Sequence, residues 1–119
     1  MEKINLKQKF SLFQDRWSPK IVGELNGQFV KLAKMKGEFQ WHHHDDEDEL
    51  FLVVKGTFTM RLKAGDLRIG EGELIIIPRG VEHCPVAEEE AHILLFEPKS
   101  TLNTGNVRSE KTVEKLAWV

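Results

Sequence analysis

The sequence predicts an all-β fold, either a sandwich or a barrel, that follows one short helix. Strand-like segments recur at intervals of roughly 8–12 residues, which is typical of such folds. Glycine and proline separate these segments, and no strand is followed by the long helical pattern of a βαβ unit. A chain of 119 residues has the length of one domain.

The N-terminal region predicts the helix, over residues 5–15. Asn5 can cap its first turn, because an asparagine side chain accepts a hydrogen bond from a free backbone N–H there. The helix must end before Pro19, since a residue that precedes proline avoids the α conformation. Its apolar residues, at near-helical spacing, are Leu6, Phe10 and Phe13.

Two turn signals divide the next part of the chain into three predicted strands. Asn26-Gly27 is a strong signal for a tight turn, and we expect Gly37 to end the second strand. The predicted strands are Ile21–Glu24, Gln28–Lys36 and Glu38–His44.

Nearly every segment after residue 50 also predicts a strand. Their β-branched content and their alternation of apolar with polar residues favour a pleated, half-buried backbone. We expect one domain, with residues 1–27 as an N-terminal arm, 28–98 as the barrel and 99–119 as a C-terminal tail. The further predicted strands are Leu50–Val54, Thr57–Lys63, Leu67–Ile69, Glu73–Ile77 and Ala91–Phe96.

Composition excludes several classes of partner. The net charge is −2, so the chain lacks the basic surface that binds nucleic acid or an anionic membrane. No apolar run approaches the roughly 20 residues that span a bilayer. The N-terminus has no signal-peptide pattern, and the single cysteine, Cys84, cannot form an internal disulfide. We therefore expect a cytoplasmic protein that binds neither nucleic acid nor membrane.

A cluster of histidines and acids carries the strongest chemical signal. His42 and His44 are two residues apart, so in a strand both rings lie on one face. Glu49 opens the next apolar run, and His83 follows the turn at 78–80. Imidazoles and a carboxylate are common ligands of late first-row metals. The alternative is a solvated loop in which histidines simply pair with neighbouring acids.

The spacing of these residues resembles the two sequence motifs of the cupin family. The first motif appears as His42-x-His44, four residues, Glu49, six residues and Gly56. The second appears as Gly72, five residues, Pro78-x-Gly80, two residues and His83. Two positions depart from the family pattern: Gly37 lies one residue closer to the first histidine than usual, and Ala87 replaces a frequent asparagine.

The resemblance implies a double-stranded β-helix, also called a jelly-roll barrel. It also implies one divalent transition metal (Fe, Mn, Ni, Zn or Cu), held by His42, His44, Glu49 and His83. Glu47 is a rival ligand if the acidic loop is shorter than expected. His43 would point out of the barrel, and the remaining loop acids, Asp45, Asp46 and Asp48, would form a solvated turn.

Other residues are weaker candidates for the site. Lys31, Lys34 and Arg79 could bind an anionic substrate, although we expect them to be exposed to solvent. His92 shares its alternation with Leu94 and Phe96, which predicts an inward-facing core histidine. Cys84 and Trp41 flank the ligands and should face away from them. Residues that could wall a pocket or simply form the core are Met35, Phe39, Phe51, Phe58 and Met60.

The predicted function is that of a metal-binding protein that binds or acts on a small polar metabolite. The pattern is similar to small bacterial single-domain cupins, which are often labelled mannose-6-phosphate isomerase-like. No phosphate-binding glycine loop or paired Lys/Arg cluster supports that label here. An isomerase, a dioxygenase and a non-catalytic binding module are all open, because the barrel hosts each of them. We also expect a homodimer.

Overall fold

The computed structural model describes all 119 residues and contains one helix and eight strands. The helix is α1 (Leu6–Phe10), and the strands in chain order are β1 (Lys20–Leu25), β2 (Gln28–Glu38), β3 (Glu49–Lys55), β4 (Phe58–Leu62), β5 (Leu67–Ile69), β6 (Leu74–Ile77), β7 (His83–Pro98) and β8 (Ala117–Trp118). The all-β prediction is confirmed.

Helix α1 is shorter than the sequence predicts, although its start is as expected. The Asn5 side chain accepts a hydrogen bond from the Gln8 N–H at 2.9 Å, which caps the first turn. The helix ends at Phe10, five residues earlier than predicted, and the chain continues without regular structure to Lys20. Phe10 and Phe13 still pack together, against Val22 and Leu32 on the outer side of the sheet.

Strand β7 organises the sheet. It runs antiparallel to β2 along most of its length, to β3 over its second half and to β4 over its first four residues. The strand order is β5-β4-β7-β2-β1-β8, and β3 joins this path through β7 while pairing β6 on its other side. The pairings do not close into a ring, so the architecture is a jelly-roll whose sheet folds over its own core.

Alternation along the strands builds that core. Side chains of Ile93 and Leu95 on β7 face Met35 on β2 and Phe51 on β3, all of them buried. Removing these aromatic and branched side chains from water stabilises the fold by roughly 1.5–3 kcal/mol each. The cluster adjoins the predicted metal ligands, since Phe51 lies two residues after Glu49 on β3 and its ring centroid is 6.2 Å from that of His83.

The predicted strand Glu38–His44 is wrong. Strand β2 passes through Gly37 (φ +83°) with a change of register and ends at Glu38. Residues 39–48 form no strand. The Phe39 N–H donates to the Pro85 carbonyl of β7, and His42 makes an isolated bridge with His83. The left-handed glycine turns the chain out of the strand direction, and sequence alternation alone does not show such a turn.

The prediction that His92 faces the core is also wrong. On β7 the buried positions are Ala91, Ile93 and Leu95, so His92 lies on the opposite, outer face. There its ring stacks on Phe10 of α1, with centroids 4.5 Å apart. Residues of β7 do alternate between two faces, but Ala91, Ile93 and Leu95 lie on the inner face, and His92 shares the outer face with Leu94 and Phe96.

The C-terminal residues return to the sheet. Strand β8 pairs parallel with β1, and the Val119 N–H donates to the Ile21 carbonyl at 3.1 Å. No helix in the structure combines the length and the apolar character that crossing a bilayer requires.

Candidate metal centre

The structure brings the four predicted ligand residues together. One ligand atom from each lies within 4.8 Å of every other, and all four side chains are buried. The four residues are His42, His44, Glu49 and His83.

The backbone bridge between the loop 39–48 and the first residue of β7 places the first and last histidines side by side. The His42 N–H donates to the His83 carbonyl at 3.1 Å, and the His83 N–H donates back to the His42 carbonyl at 2.9 Å. These paired bonds hold the two imidazole centroids 4.3 Å apart. This bridge, and not a continuous strand over residues 38–44, positions the His42 side chain.

Strand β3 places the carboxylate. Glu49 is its first residue and pairs with Ile77, the last residue of β6, so its side chain shares the inner face with Phe51. The backbone of His44 is fixed by the turn at Gly80, because the Gly80 N–H donates a hydrogen bond to the His44 carbonyl at 2.7 Å. The turn of the second motif therefore supports a ligand of the first.

Two imidazole nitrogens converge on one oxygen of Glu49. Nε2 of His83 lies 3.0 Å from Oε1, and Nε2 of His44 lies 2.8 Å from the same atom. The His83 approach has the geometry of a hydrogen bond, whereas the His44 approach does not, so His44 Nε2 is buried without a hydrogen-bond partner. Two ligand atoms that both point at a metal position lie close together without facing each other, which is the relation between His44 Nε2 and Glu49 Oε1.

Backbone carbonyls orient two of the rings. Nδ1 of His42 lies 2.9 Å from the Gln40 carbonyl, and Nδ1 of His83 lies 2.9 Å from the Val81 carbonyl. Since a carbonyl only accepts, Nδ1 of each ring is the donor, and each ring turns its Nε2 toward the cluster. Carbonyls in this position are the usual outer support of metal-binding histidines.

The cluster shifts the pKa of two of its members. Burial, and then the neighbouring His83, lower the pKa of His42 from 6.5 to about 4. Burial alone would raise the pKa of Glu49, but the neighbouring Glu97 carboxyl group, and then the His44 and His83 rings, hold it well below its usual value. A neutral imidazole and an ionised carboxylate are the forms that bind a cation.

These residues fit a transition metal. Ligands at right angles around a cation, with bonds of about 2.1 Å, lie about 3 Å apart, and His44 Nε2 and His83 Nε2 lie 2.8 and 3.0 Å from Glu49 Oε1. The donor set of three imidazoles and one carboxylate leaves room for further ligands on metals that prefer five or six.

A pocket of about 420 Å³, including its open mouth, adjoins the cluster. His42 and Glu49 form part of its wall, and three of the predicted wall residues line it: Met35, Phe39 and Phe51. Phe58 and Met60 belong to the core instead. Trp17, which the sequence did not suggest, stacks on Phe39 with ring centroids 4.9 Å apart.

Sequence reasoning missed a buried acid in this pocket, Glu97. Its Oε1 accepts a hydrogen bond from Lys31 Nζ at 2.8 Å, and both side chains are 2% exposed. Burial and the charge of Glu49 raise the pKa of Glu97 well above its usual value. Alternation could have found both residues, because Glu97 shares its face with Ile93 and Leu95.

The expectation that Lys31 and Lys34 are exposed is wrong. Lys31 points into the sheet interior and pairs with Glu97. Lys34 lies on the outer face, where the N-terminal arm covers it and the Phe13 carbonyl accepts its hydrogen bond at 2.6 Å. Arg79, by contrast, is exposed and pairs with Asp48.

The remaining candidates lie outside the cluster. His43 is half-buried, and its ring pairs with Glu82 at 3.0 Å and Asp45 at 2.9 Å. Glu47, the rival ligand, accepts a hydrogen bond from Ser100 instead. Cys84 is fully buried and forms no disulfide.

Trp41 packs outside the cluster as well. Its ring lies under the Lys63 ammonium group at 4.0 Å, so it faces away from the ligands as expected.

The C-terminal segment (residues 99–119) braces the ligand loop, which is the loop 39–48 that carries His42 and His44. The Asn106 N–H donates to the His43 carbonyl at 3.0 Å, and the Asn106 side chain accepts from the His43 N–H at 2.8 Å. This reciprocal pair lies between His42 and His44, so residues far from either motif hold the first two ligands in place.

Comparison with known proteins agrees with this geometry. The family profile described as "Cupin domain" matches residues 28–97, more than half of the chain. The chain belongs to the cupin family.

A solved structure shares the fold of this cupin over most of its length. The cupin-2 domain containing protein from Shewanella frigidimarina is 45% identical, with a TM-score of 0.80, and the match covers 81% of this chain and 94% of that one.

Two curated relatives match a shorter region. An uncharacterised Bacillus subtilis protein, YdbB, is 36% identical over 63 residues, which are 52% of this chain and 56% of the relative. The 3-hydroxyanthranilate 3,4-dioxygenase of Ruegeria pomeroyi is 35% identical over 63 residues, 49% of this chain and 35% of the enzyme. The matches thus span about half, and about a third, of the lengths of these two relatives.

Proposed function

We propose that this cupin binds one divalent transition metal through His42, His44, Glu49 and His83 and uses it to bind or transform a small polar metabolite. The observation that carries the proposal is the convergence of four buried ligand atoms within 4.8 Å of one another, beside a pocket. The donor set suits Fe, Mn, Ni, Zn or Cu.

A bound metal would act as a Lewis acid on an oxygen atom of the ligand or would bind dioxygen. The chain's own residues supply the remaining functions. The carbonyls of Gln40 and Val81 hold His42 and His83 in the tautomer that presents Nε2. The aromatic rings of Trp17 and Phe39 form one wall of the pocket and limit the access of water.

Both catalytic and non-catalytic versions of this function have support. The relative from Ruegeria pomeroyi bears the name of a dioxygenase, which favours oxygen chemistry. Isomerisation is the other catalytic possibility. The alternative is a binding module without turnover, because many functions share this fold. We propose a cytoplasmic location, which suits a single buried thiol.

Metal analysis of untagged protein tests the proposal. After incubation with each of the five metals and gel filtration, we expect about one equivalent bound to the wild type. Replacing a ligand, as in His44→Ala, should lower the metal affinity by at least about tenfold. His43→Ala is the matched control, because this half-buried neighbour pairs with Glu82 and Asp45 outside the cluster.

Two outcomes would contradict the metal site: wild-type protein that retains none of the five metals, or equal losses in the His43 and His44 variants. A screen of the loaded protein against sugars, dicarbonyls and hydroxylated aromatic compounds then separates the two versions. Turnover that His44→Ala abolishes supports an enzyme, and saturable binding without turnover supports a binding module.

We also propose that the chain forms a homodimer through an outer apolar patch, defined as Leu50, Leu52, Leu74, Ile76 and Phe96. These side chains adjoin one another across β6, β3 and β7 on the face opposite the core. Leu74 and Ile76 are 54% and 56% exposed. A patch without charged groups can face a second copy of itself without repulsion, as two-fold symmetry requires.

A further inference from the structure

The buried pair of Glu97 and Lys31 adds a hydrogen-bonding site to the pocket that none of the four metal ligands provides. Lys31 Nζ holds Oε1 of Glu97 at 2.8 Å, and both side chains are 2% exposed. An ion pair so far from water is costly to form and contributes little net stability compared with apolar residues of the same size. Its presence in a pocket wall therefore indicates a role beyond stability.

The second oxygen of Glu97 is left without a protein donor. Oε2 is buried, and no N–H or O–H group of the chain hydrogen-bonds to it. The carboxyl group of Glu49 lies beside Glu97, but its Oε1 is directed toward His83 and His44, and no N–H or hydroxyl group of another residue reaches Oε2 of Glu97. Buried polar atoms are nearly always paired, so an unpaired carboxylate oxygen in a pocket indicates an atom that a ligand satisfies.

The apolar lining of the pocket indicates the rest of the ligand. Trp17 and Phe39 stack at 24° to each other, and Met35 lies beside them in the pocket. A flat apolar body would bury its surface against these rings. A ligand anion would be repelled by Glu49 and Glu97, and a ligand ammonium group would lose its hydration against the apolar wall.

We propose that Glu97 is a ligand-binding residue that hydrogen-bonds, through Oε2, a hydroxyl group on an uncharged molecule whose flat apolar body lies against Trp17 and Phe39. A hydroxyl group both donates and accepts, so it pairs with either form of the carboxyl group. Lys31 is the positioning residue that fixes the other oxygen. This inference specifies the ligand class of the function proposed above and rests on it.

Phenol and toluene, which differ in one hydroxyl group, are the probes. Each is titrated into metal-free, ¹⁵N-labelled protein while the Trp17 indole N–H, which donates to the Lys36 carbonyl, reports on the pocket. The double variant Lys31→Met/Glu97→Leu replaces the pair by apolar groups of similar size and is expected to fold. Lys99→Met/Glu24→Leu makes the same changes in an exposed pair, 49% and 42% accessible.

We expect the preference for phenol over toluene, measured as the ratio of the two Kd values, to fall about tenfold in the first double variant. The control pair should leave this ratio unchanged. An unchanged ratio in the first variant, or a Trp17 indole signal that saturating phenol does not move, would overturn the proposal.

A measurement on the wild type needs no substitution. The ¹³C resonance of the Glu97 carboxyl group should move when phenol is added and stay in place with toluene; equal responses would also overturn the proposal. The metal content of the same proteins is measured separately. Wild-type protein that holds no metal counts against the proposed metal function, whereas an unaltered phenol preference counts against the role of Glu97 alone.

Discussion

Gly105 packs directly against the carbonyl oxygen of His43, so closely that a Cβ at this position would overlap it. The same Cβ would lie 3.1 Å from Cδ2 of His42, a predicted metal ligand. The backbone of Gly105 is left-handed, with φ +56°. The C-terminal segment thus reaches the ligand loop through a contact that only glycine allows.

Gly105→Ala should therefore destabilise the fold and weaken metal binding together. We expect a loss of about 3 kcal/mol in the free energy of unfolding, from left-handed strain and displacement of the loop. Gly72→Ala is the matched control, because Gly72 has φ +80° and nothing within 4 Å of an added Cβ. It should cost only about 1–2 kcal/mol. Equal losses in urea titrations would contradict the contact.

Lys31→Met should be more harmful than removal of the whole ion pair. The single change leaves Glu97 buried without its partner, which costs about 3 kcal/mol or more. The double variant Lys31→Met/Glu97→Leu should lie within about 1 kcal/mol of the wild type or above it. Urea unfolding of the three proteins checks the order, and a double variant less stable than Lys31→Met would contradict it.

The pKa values of His42 and His43 should be shifted in opposite directions, although the two residues are neighbours. Burial lowers the pKa of His42 to about 4, while the hydrogen bond to Glu82, and then that to Asp45, raise the pKa of His43. At pH 5.5, NMR spectra of the metal-free protein should show a neutral His42 ring and a charged His43 ring. The reverse pattern would mean that the cluster is open to water.

The His42 shift should also make the metal-free fold less stable in acid. Between pH 6.5 and about 4, the unfolded chain binds a proton at this residue that the folded chain does not. Its contribution to the free energy of unfolding therefore falls as the pH falls through that window and is unaffected above it. The raised pKa of Glu97 has the opposite effect, because it increases the free energy of unfolding as the pH falls.

A comparison with His42→Gln isolates this contribution from that of Glu97. From pH 7 to pH 5 the wild type should lose up to about 2 kcal/mol more than the variant. Urea titrations at the two pH values measure the difference, and parallel losses would show that His42 does not titrate as inferred.

Ile76→Lys should give a monomer. The substitution places a charge within the outer apolar patch, on a residue that is 56% exposed and so does not disturb the core. Light scattering should report a dimer for the wild type and a monomer for the variant. Val107→Lys, at an exposed residue outside the patch, is the control. A monomeric wild type would contradict the proposal.

Much of the fold followed from local patterns, and the errors have identifiable causes. Strand β3 and the turns that flank β4 and β5 carry period-two alternation and glycine signals that local sterics enforce. The segment 38–44 has similar alternation, yet a left-handed Gly37 redirects it. Alternation shows that two faces differ, but not which one the rest of the chain will cover.

Part of the candidate site could likewise be predicted from local patterns, and part could not. His42, His44, Glu49 and His83 were recognisable because a metal site needs particular donors at particular intervals. Glu97 was not recognised and Lys31 was expected to be exposed, because a lone acid or base in a strand usually faces water. Only the pairing of β2 with β7 shows that these two charges meet inside.

The sequence by itself determined the all-β class, the turn positions and the identity of the four residues that could hold a metal. These depend on backbone sterics and donor chemistry, which act over a few residues at a time. The tertiary structure alone decided that the four ligand atoms converge, that Glu97 and Lys31 are buried, and that Gly105 braces the ligand loop. Each of these depends on contacts between residues far apart in the chain, whose free energy comes from excluding water on both sides at once.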